Sequence, residues 1–349
     1  MGETKILKLL ILCIILLYSP IDLAKSCSEE PDGVCEGCTS ENDICTMKIL
    51  QETSRSVVLN NGEKMPAFGL GTYDIQNQEV ITYSIVELGY RHIDTAQVYE
   101  NEELVSKAIK EAIQAGISRD ELFITTKLWN SGFENPVKAL RESLGRLNLK
   151  YVDMYLIHWP IPEFEEDKKT FKKTPMHQVW QGMERCVELG IAKSIGVSNF
   201  NVQLLIDMLA YAKIPPTCNQ VEVHPYYQQE GLLQFCQKYG IAVVAYAPLS
   251  SPARPDGGNG RNILKDPILQ QIANSHDTTP AQIALAWNLQ LGNVVISKTN
   301  NVTRAKENIE AVSVALSSKE MDLIRSLDAN EKIYDTQEWE CFGNIHAFK

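Results

Sequence analysis

Along most of this chain, short apolar runs alternate with longer stretches in which apolar residues return at helical spacing. Short apolar runs suit strands buried on both faces, and the three-to-four spacing suits helices with one apolar face. The runs predict strands at 69–72, 91–93, 122–126, 154–157, 194–197, 218–221, 242–245 and 294–296. The stretches between them predict helices over 102–115, 136–147, 176–189, 202–212 and 281–291. Gly89, Gly116, Gly190 and Gly240 fall near predicted helix ends, where glycine accepts the left-handed conformation that stops a helix. Ahead of these units, residues 57–59 and 64–68 flank Asn60-Asn61-Gly62. That pattern reads as a hairpin in which Asn-Gly supplies the positive φ angles of a tight turn.

Strands alternating with helices imply a parallel sheet. Eight such units without a break favour an α/β fold closed as a (β/α)8 TIM barrel, with the N-terminal β-hairpin closing the barrel bottom. The rival is an open, doubly wound sheet, which calls for G-x-G-x-x-G after its first strand. Gly69-Leu70-Gly71-Thr72-Tyr73 is the nearest match and has no third glycine in place. The stretch 250–262 is rich in Gly, Pro and Asn and reads as a loop.

The N-terminus differs in kind. Lys5 and Lys8 precede the apolar run 9–18, and Ala24-Lys25-Ser26 ends it with a small-x-small pattern. This reads as a secretory signal peptide over 1–26. The run is about half the roughly 20 residues that a spanning helix needs, so no stable membrane span is expected. An uncleaved anchor, or a cytoplasmic protein translated from Met47, are the competing readings. Cys27, Cys35, Cys38 and Cys45 crowd the polar segment 27–55. Four cysteines so close suggest two disulfides in an oxidising compartment, with three connectivities open. Zinc competes through Cys35-x-x-Cys38, although no His lies nearby. Cys186, Cys218, Cys236 and Cys341 are scattered and read as ordinary thiols, three of them buried. The barrel is expected over 56–330, with a tail at 331–349. Net charge is −11 over 349 residues without a long basic run, which argues against nucleic acid as a partner.

In a barrel of this type the active site lies at the C-terminal ends of the strands. The polar residues there form a coherent set. Asp94 follows the second strand, Lys127 the third and His158 the fourth. Ser198 and Asn199 follow the fifth, Gln220 ends the sixth, Tyr246 the seventh, and Lys298 stands near the end of the eighth. One such residue is ordinarily a satisfied turn residue; a set from seven consecutive strands points to one shared mouth.

Three segments carry a family resemblance. Gly89-Tyr90-Arg91-His92-Ile93-Asp94-Thr95-Ala96-Gln97-Val98-Tyr99-Glu100-Asn101-Glu102 resembles the first signature of the aldo-keto reductases. Leu147 followed by Tyr151-Val152-Asp153-Met154-Tyr155-Leu156-Ile157-His158-Trp159-Pro160 is similar to the segment carrying that family's histidine. Ile296-Ser297-Lys298-Thr299 with Arg304, Glu307 and Asn308 resembles its cofactor-phosphate motif. The match runs over about 56–330 and agrees with the strand count.

The resemblance implies NADPH-dependent reduction of an aldehyde or ketone on a small molecule by a monomer. Tyr99 would be the general acid, with Lys127 lowering its pKa, Asp94 holding Lys127, and His158 orienting the carbonyl. Glu stands at the His158 position in the branch that reduces steroid carbon–carbon double bonds, so His implies carbonyl reduction. For NADP(H) it implies Ser198, Asn199 and Gln220 on the carboxamide, Tyr246 stacked on the nicotinamide, and Pro248, Leu249 and Ser250 over the pyrophosphate. It further implies Lys298, Thr299 and Arg304 on the 2′-phosphate, and Glu307 and Asn308 on adenine. Gly71, Thr72, Tyr73 and Asp94 would also border the cofactor. Tyr73, Tyr99, His158 and Trp159 would line the substrate pocket, with Trp339, Phe342 and Phe348 of the tail folding over it. Two cations and a hydroxyl suit a dianion and favour NADP over NAD.

Each residue also has a plainer reading. Asp94 and Lys127 could be an ion pair closing the barrel bottom or rim, Tyr99 a core aromatic, and His158 a structural histidine. Lys298 and Arg304 could decorate a helix start, where the macrodipole disfavours cations. No metal is expected, since no second His falls at ligand spacing from His158 and Asp94. Ser297 stands where the family commonly has Pro, Thr299 where Ser is commoner, and Tyr73 where Trp is common. Asn301-Val302-Thr303 is the one Asn-x-Ser/Thr sequon, inside the expected phosphate loop, and is expected to be unused. Two other classes of function compete: a regulatory protein that binds cofactor without turnover, and a secreted binding module working through its Cys-rich segment.

Overall fold

A computed structural model describes residues 56–165, 170–250, 261–334 and 336. The expected signal peptide, the Cys-rich segment, most of the 250–262 loop, Cys341 and the tail aromatics lie outside the described residues.

Ser56–Val58 (β1) pairs antiparallel with Lys64–Pro66 (β2), as the hairpin reading predicts. The turn differs in detail. Gly62 has φ 88 whereas Asn61 keeps an ordinary φ, and Leu59 N–H donates to the Glu63 carbonyl at 2.8 Å. Three residues therefore connect the strands, a loop that needs one left-handed position instead of two.

Eight parallel strands follow: Phe68–Gly71 (β3), His92–Asp94 (β4), Phe123–Leu128 (β5), Val152–Ile157 (β6), Ala192–Ser198 (β7), Cys218–Glu222 (β8), Ala242–Tyr246 (β9) and Val294–Lys298 (β10). They close in the order β10-β3-β4-β5-β6-β7-β8-β9, so the sheet has no free edge. Each predicted strand overlaps an observed one. The helices are Gln78–Val86 (α1), Glu102–Gln114 (α2), Pro136–Leu147 (α3), Met176–Glu188 (α4), Val202–Tyr211 (α5), Glu230–Lys238 (α6), Pro267–Ser275 (α7), Pro280–Gln290 (α8), Val302–Glu310 (α9) and Ser318–Arg325 (α10). The five predicted helices correspond to α2, α3, α4, α5 and α8.

Close approach of β10 to β3 explains two glycines. A Cβ at Gly69 would fall 2.6 Å from Ile296 Cδ1, and one at Gly71 would fall 2.9 Å from Ile296 Cγ2. The Ile296 side chain thus takes the space that side chains on β3 would need. Ile296 joins Phe123, Met154, Leu156, Cys218, Val244 and Val294 in a cluster that Leu59 and Met65 of the hairpin complete. Asn60 Nδ2 donates to the Pro216 carbonyl at 3.0 Å and Asn61 Nδ2 to Ser194 Oγ at 2.9 Å. The hairpin is therefore a plug in the N-terminal end of the barrel, and the opposite end is left to chemistry. Cys186, Cys218 and Cys236 are buried free thiols.

His92 lies among these bottom residues, edge-on to Phe123 with centroids 5.0 Å apart. Its Nδ1 is 3.4 Å from the Pro66 carbonyl, which can only accept, and its Nε2 is 3.0 Å from Thr125 Oγ1. Burial, partly offset by the Asp94 charge, lowers its pKa to about 4. In the unfolded chain the ring titrates near 6.5. Between those values the unfolded chain binds more protons, so stability is full above pH 6.5 and falls as pH drops towards 4. Lowering the pH from 7 to 4 is expected to cost about 3 kcal/mol through this residue. Urea unfolding at both values should show a markedly smaller pH difference for His92→Asn; an equal difference in both proteins would exclude His92 as the source.

Candidate functional site

The residues at the C-terminal ends of the strands meet around one buried lysine. Lys127, on β5, has no exposed surface. Its Nζ lies 2.5 Å from Asp94 Oδ1, 3.0 Å from the Thr95 carbonyl and 3.3 Å from Tyr99 Oη. Asp94, the last residue of β4, takes a second bond on its other oxygen from Gln220 Nε2 at 2.8 Å. An ionised pair survives burial when its remaining hydrogen-bonding capacity is met, and here both partners have further polar contacts. The pair sits at the mouth with the other strand-end residues, which removes the reading of a bottom closure.

Tyr99 is set by a short helical turn, Gln97–Tyr99, that stops at Glu100 in the left-handed region with φ 54. The next residue, Asn101, is buried. Before the Glu-rich start of α2 it reads as a helix cap, but its side chain makes no capping bond. Its Nδ2 donates to the Thr72 carbonyl at 2.7 Å and to the Ile75 carbonyl at 3.2 Å, and its Oδ1 lies 3.3 Å from Thr95 Oγ1. Asn101 ties the turn carrying Tyr99 to the loop after β3. Spacing alone gives no sign of this role.

Tyr99 is flanked by rings. Tyr73 meets it edge-on at 5.2 Å and His158 at 5.7 Å, while Trp129 meets His158 at 5.3 Å. Tyr73 is exposed and Trp159 is buried. Trp129 is a ring beside the histidine that the sequence reading did not single out. Burial, and then the Lys127 charge, hold the His158 imidazole well below its ordinary pKa, so it is neutral at pH 7. Its Nδ1 is buried without a hydrogen-bond partner among the described residues.

The lowering of the Tyr99 pKa expected from the Lys127 ammonium meets opposing effects in this geometry. Burial first, and then the Asp94 charge, raise the phenol well above its ordinary range. The ammonium is 2.5 Å from the carboxylate and 3.3 Å from the phenol, so the Asp94 charge works against the field that would favour phenolate. The Tyr99 phenol is therefore protonated at neutral pH, with a cation beside its hydroxyl.

The residues expected near the cofactor fall into two groups. Ser198, Asn199, Gln220 and Tyr246 form one network. Ser198 Oγ donates to the Gln220 carbonyl at 2.8 Å, Asn199 Nδ2 to the His158 carbonyl at 2.9 Å, and Tyr246 Oη to Asn199 Oδ1 at 2.8 Å. Asn199 takes φ 62, a conformation asparagine tolerates well, which turns the chain out of β7. Thr72 is buried and donates from N–H and Oγ1 to the Asp94 carbonyl. Gly71 is required by Ile296 packing, whatever else it borders. After β9, Pro248 is buried, Leu249 packs on the core, and Ser250 has φ 55 with its N–H on the Ala247 carbonyl.

The second group lies between β10 and α9. Lys298 Nζ is 3.2 Å from Asp74 Oδ2, while Arg304 is exposed in the first turn of α9. Thr299 Oγ1 accepts from Asn301 N–H at 3.1 Å. Glu307 and Asn308 are engaged internally. Glu307 Oε1 accepts from Thr279 at 2.6 Å, and buried Asn308 donates to Ser297 Oγ at 2.9 Å. The Ser297 hydroxyl thus gives Asn308 an acceptor that a proline side chain at this position could not offer. Asn301 of the sequon is exposed and caps α9, its Oδ1 accepting from Arg304 N–H at 3.0 Å. Among the described residues, no group of three His, Cys, Asp or Glu is placed to hold a metal, and no helix is long and apolar enough to cross a membrane.

A closed barrel with Asp94, Tyr99, Lys127 and His158 gathered at its C-terminal mouth matches a known family. The aldo/keto reductase family model fits residues 67–329. NADP-dependent D-sorbitol-6-phosphate dehydrogenase of Malus domestica is 38% identical over 78% of this chain and 94% of its own length. Prostaglandin F synthase 1 of Bos taurus is 39% identical over 82% of this chain and 95% of its own. A Bombyx mori aldo-keto reductase, solved in complex with NADP, superposes with a TM-score of 0.77 at 36% identity, covering 83% of this chain and 98% of that one. The chain belongs to the aldo/keto reductase family.

Proposed function

We propose that this protein reduces an aldehyde or ketone on a small molecule to the alcohol with NADPH, using Tyr99 as the proton donor. The observation that carries the reading is the buried Lys127 ammonium, 2.5 Å from Asp94 and 3.3 Å from the Tyr99 hydroxyl, with neutral His158 beside that phenol. When bound, NADPH supplies the hydride that adds to the carbonyl carbon. The carbonyl oxygen gains negative charge at that moment and takes the Tyr99 proton. Lys127 then faces the phenolate so formed, and solvent restores the proton. His158, neutral in its buried site, can donate a hydrogen bond to the carbonyl oxygen without bringing a second cation next to Lys127. Aligning that oxygen with the Tyr99 hydroxyl is what this neutral donor contributes.

The donor set suits the cofactor. Ser198, Asn199 and Gln220 offer hydroxyl and amide groups of the kind that read a carboxamide. Tyr246, held by Asn199, offers an aromatic face. Lys298, Arg304 and the Thr299 hydroxyl suit a phosphate dianion, and Arg304, exposed in the first turn of α9, stands where the helix dipole favours an anion over a cation. We also carry forward, from the sequence alone, a monomer that enters the secretory pathway through the 1–26 leader.

Tyr99→Phe removes the transferable proton and little volume. It is expected to lower kcat for a generic aldehyde by at least about a hundredfold, the scale of general acid catalysis, while NADPH still binds. Equal rates in both proteins would refute the mechanism. Lys298→Ala is expected to weaken NADPH binding by about tenfold or more, read by quenching of protein fluorescence, and to leave NADH binding nearly unchanged. An equal loss for both cofactors would remove Lys298 from the 2′-phosphate.

A further inference from the structure

Glu222 ends β8, two residues beyond Gln220, and is 1% exposed. A carboxylate so deep must be met by donors. Its donors come from the far end of the chain. Ile333 N–H reaches Oε1 at 2.6 Å and Tyr334 N–H reaches Oε2 at 2.9 Å. His224 Nε2 lies 2.9 Å from the same carboxylate, and Gln229 Nε2 donates to the Glu222 carbonyl at 2.6 Å. The residues that follow continue the arrangement. The Tyr226 carbonyl accepts from Ala329 and Glu331 N–H at 3.1 and 3.0 Å, and Gln228 Nε2 donates to the Ile324 carbonyl at 2.8 Å. The stretch after β8 is thus a cradle for residues 324–334. Bonds from backbone N–H to a carboxylate are about twice as strong as neutral ones, and in this cradle Glu222 makes them.

These two bonds place Tyr334. Its ring stands nearly perpendicular to Tyr246, with centroids 5.7 Å apart and planes at 78°. Tyr246 in turn is bonded to Asn199, which is bonded to the His158 backbone. The described part of the C-terminal segment therefore meets this network through the Tyr334 ring, and Glu222 bonds the backbone that bears it.

We propose that Glu222 is a positioning residue for substrate selection: it clasps the backbone at Ile333 and Tyr334 and so sets Tyr334 as a wall of the mouth. The selection role rests on the carbonyl-reductase reading above; the clasp stands without it. Carbonyl compounds with an aromatic body extend far enough to meet this wall. Aldehydes of two or three carbons offer this wall far less surface.

Glu222→Gln keeps the volume and turns one acceptor into a donor facing a backbone N–H. Hydrogen exchange read by mass spectrometry on peptides covering 333–334 is expected to run at least about tenfold faster in this variant, the loss of a charge-assisted bond. Peptides from β4 and β5 should exchange as before. KM for a nitrobenzaldehyde is expected to rise about fivefold or more, with KM for propanal changed by less than about twofold, because only the larger molecule loses an aromatic contact. Tyr334→Ala keeps both N–H donors, so it should reproduce the KM split without faster exchange at Ile333. Unchanged exchange at 333–334 in Glu222→Gln overturns the clasp, whatever the activity. Faster exchange with equal KM changes for both aldehydes overturns the selection role. If Glu222→Gln does not fold, Tyr334→Ala decides selection: no KM split overturns it. A wild-type protein that reduces neither aldehyde refutes the function proposed above and with it selection, while exchange still tests the clasp.

Discussion

The Lys127–Asp94 pair is the interaction on which the rest of this site depends. A lysine with no exposed surface is stable as a cation only beside an anion, and burial alone already pulls its pKa down. Asp94 opposes that pull at 2.5 Å and is itself held by Gln220. Around this pair the strand ends take their places. Thr72 bonds the Asp94 backbone, Asn101 bonds Thr72, and the turn carrying Tyr99 follows from Asn101. The barrel matters because adjacent parallel strands bring Asp94 and Lys127 side by side. The hairpin plug matters because it fills the other end with Leu59 and Met65.

The same pair changes how the chemistry is understood. A lysine near a tyrosine suggests a lowered phenol pKa. With Asp94 closer to that lysine than Tyr99 is, the paired charges leave the buried phenol above its ordinary range. In the proposed mechanism the proton then stays on Tyr99 until charge develops on the carbonyl oxygen. In this account the cation acts on the product of proton transfer, the phenolate, more than on the resting acid. His158 fits the same scheme, because a second cation there would compete with Lys127 for the small negative charge available.

Much of this was legible in the sequence. Strands buried on both faces leave unbroken apolar runs, so β3 to β10 stand out, and the polar residues ending them mark the mouth. What was not legible shares a physical cause: it depends on partners distant in the chain. Asn101 resembles a helix cap and serves as a brace between loops. Glu222 is a charge at the end of a buried strand, and its backbone donors are 111 and 112 residues away. The resemblance puts Gln220, Glu307 and Asn308 at the cofactor; their bonds to Asp94, Thr279 and Ser297 emerge only from the fold. In the hairpin, Asn-Gly suggests more than one left-handed residue, whereas only Gly62 takes that conformation, because the same pair also suits a three-residue loop. Helix α8 is buried almost all round, so its sequence shows no single apolar face.

The central claim is that Lys127 acts through Tyr99. Single-turnover reduction of an aromatic aldehyde, with NADPH bound beforehand, tests this in Lys127→Met, Tyr99→Phe and the double variant. If the two residues act as a unit, the double variant is slower than Tyr99→Phe by no more than about threefold, because the cation has nothing left to stabilise. If the two losses multiply, Lys127 and Tyr99 contribute independently and the account of the site is wrong.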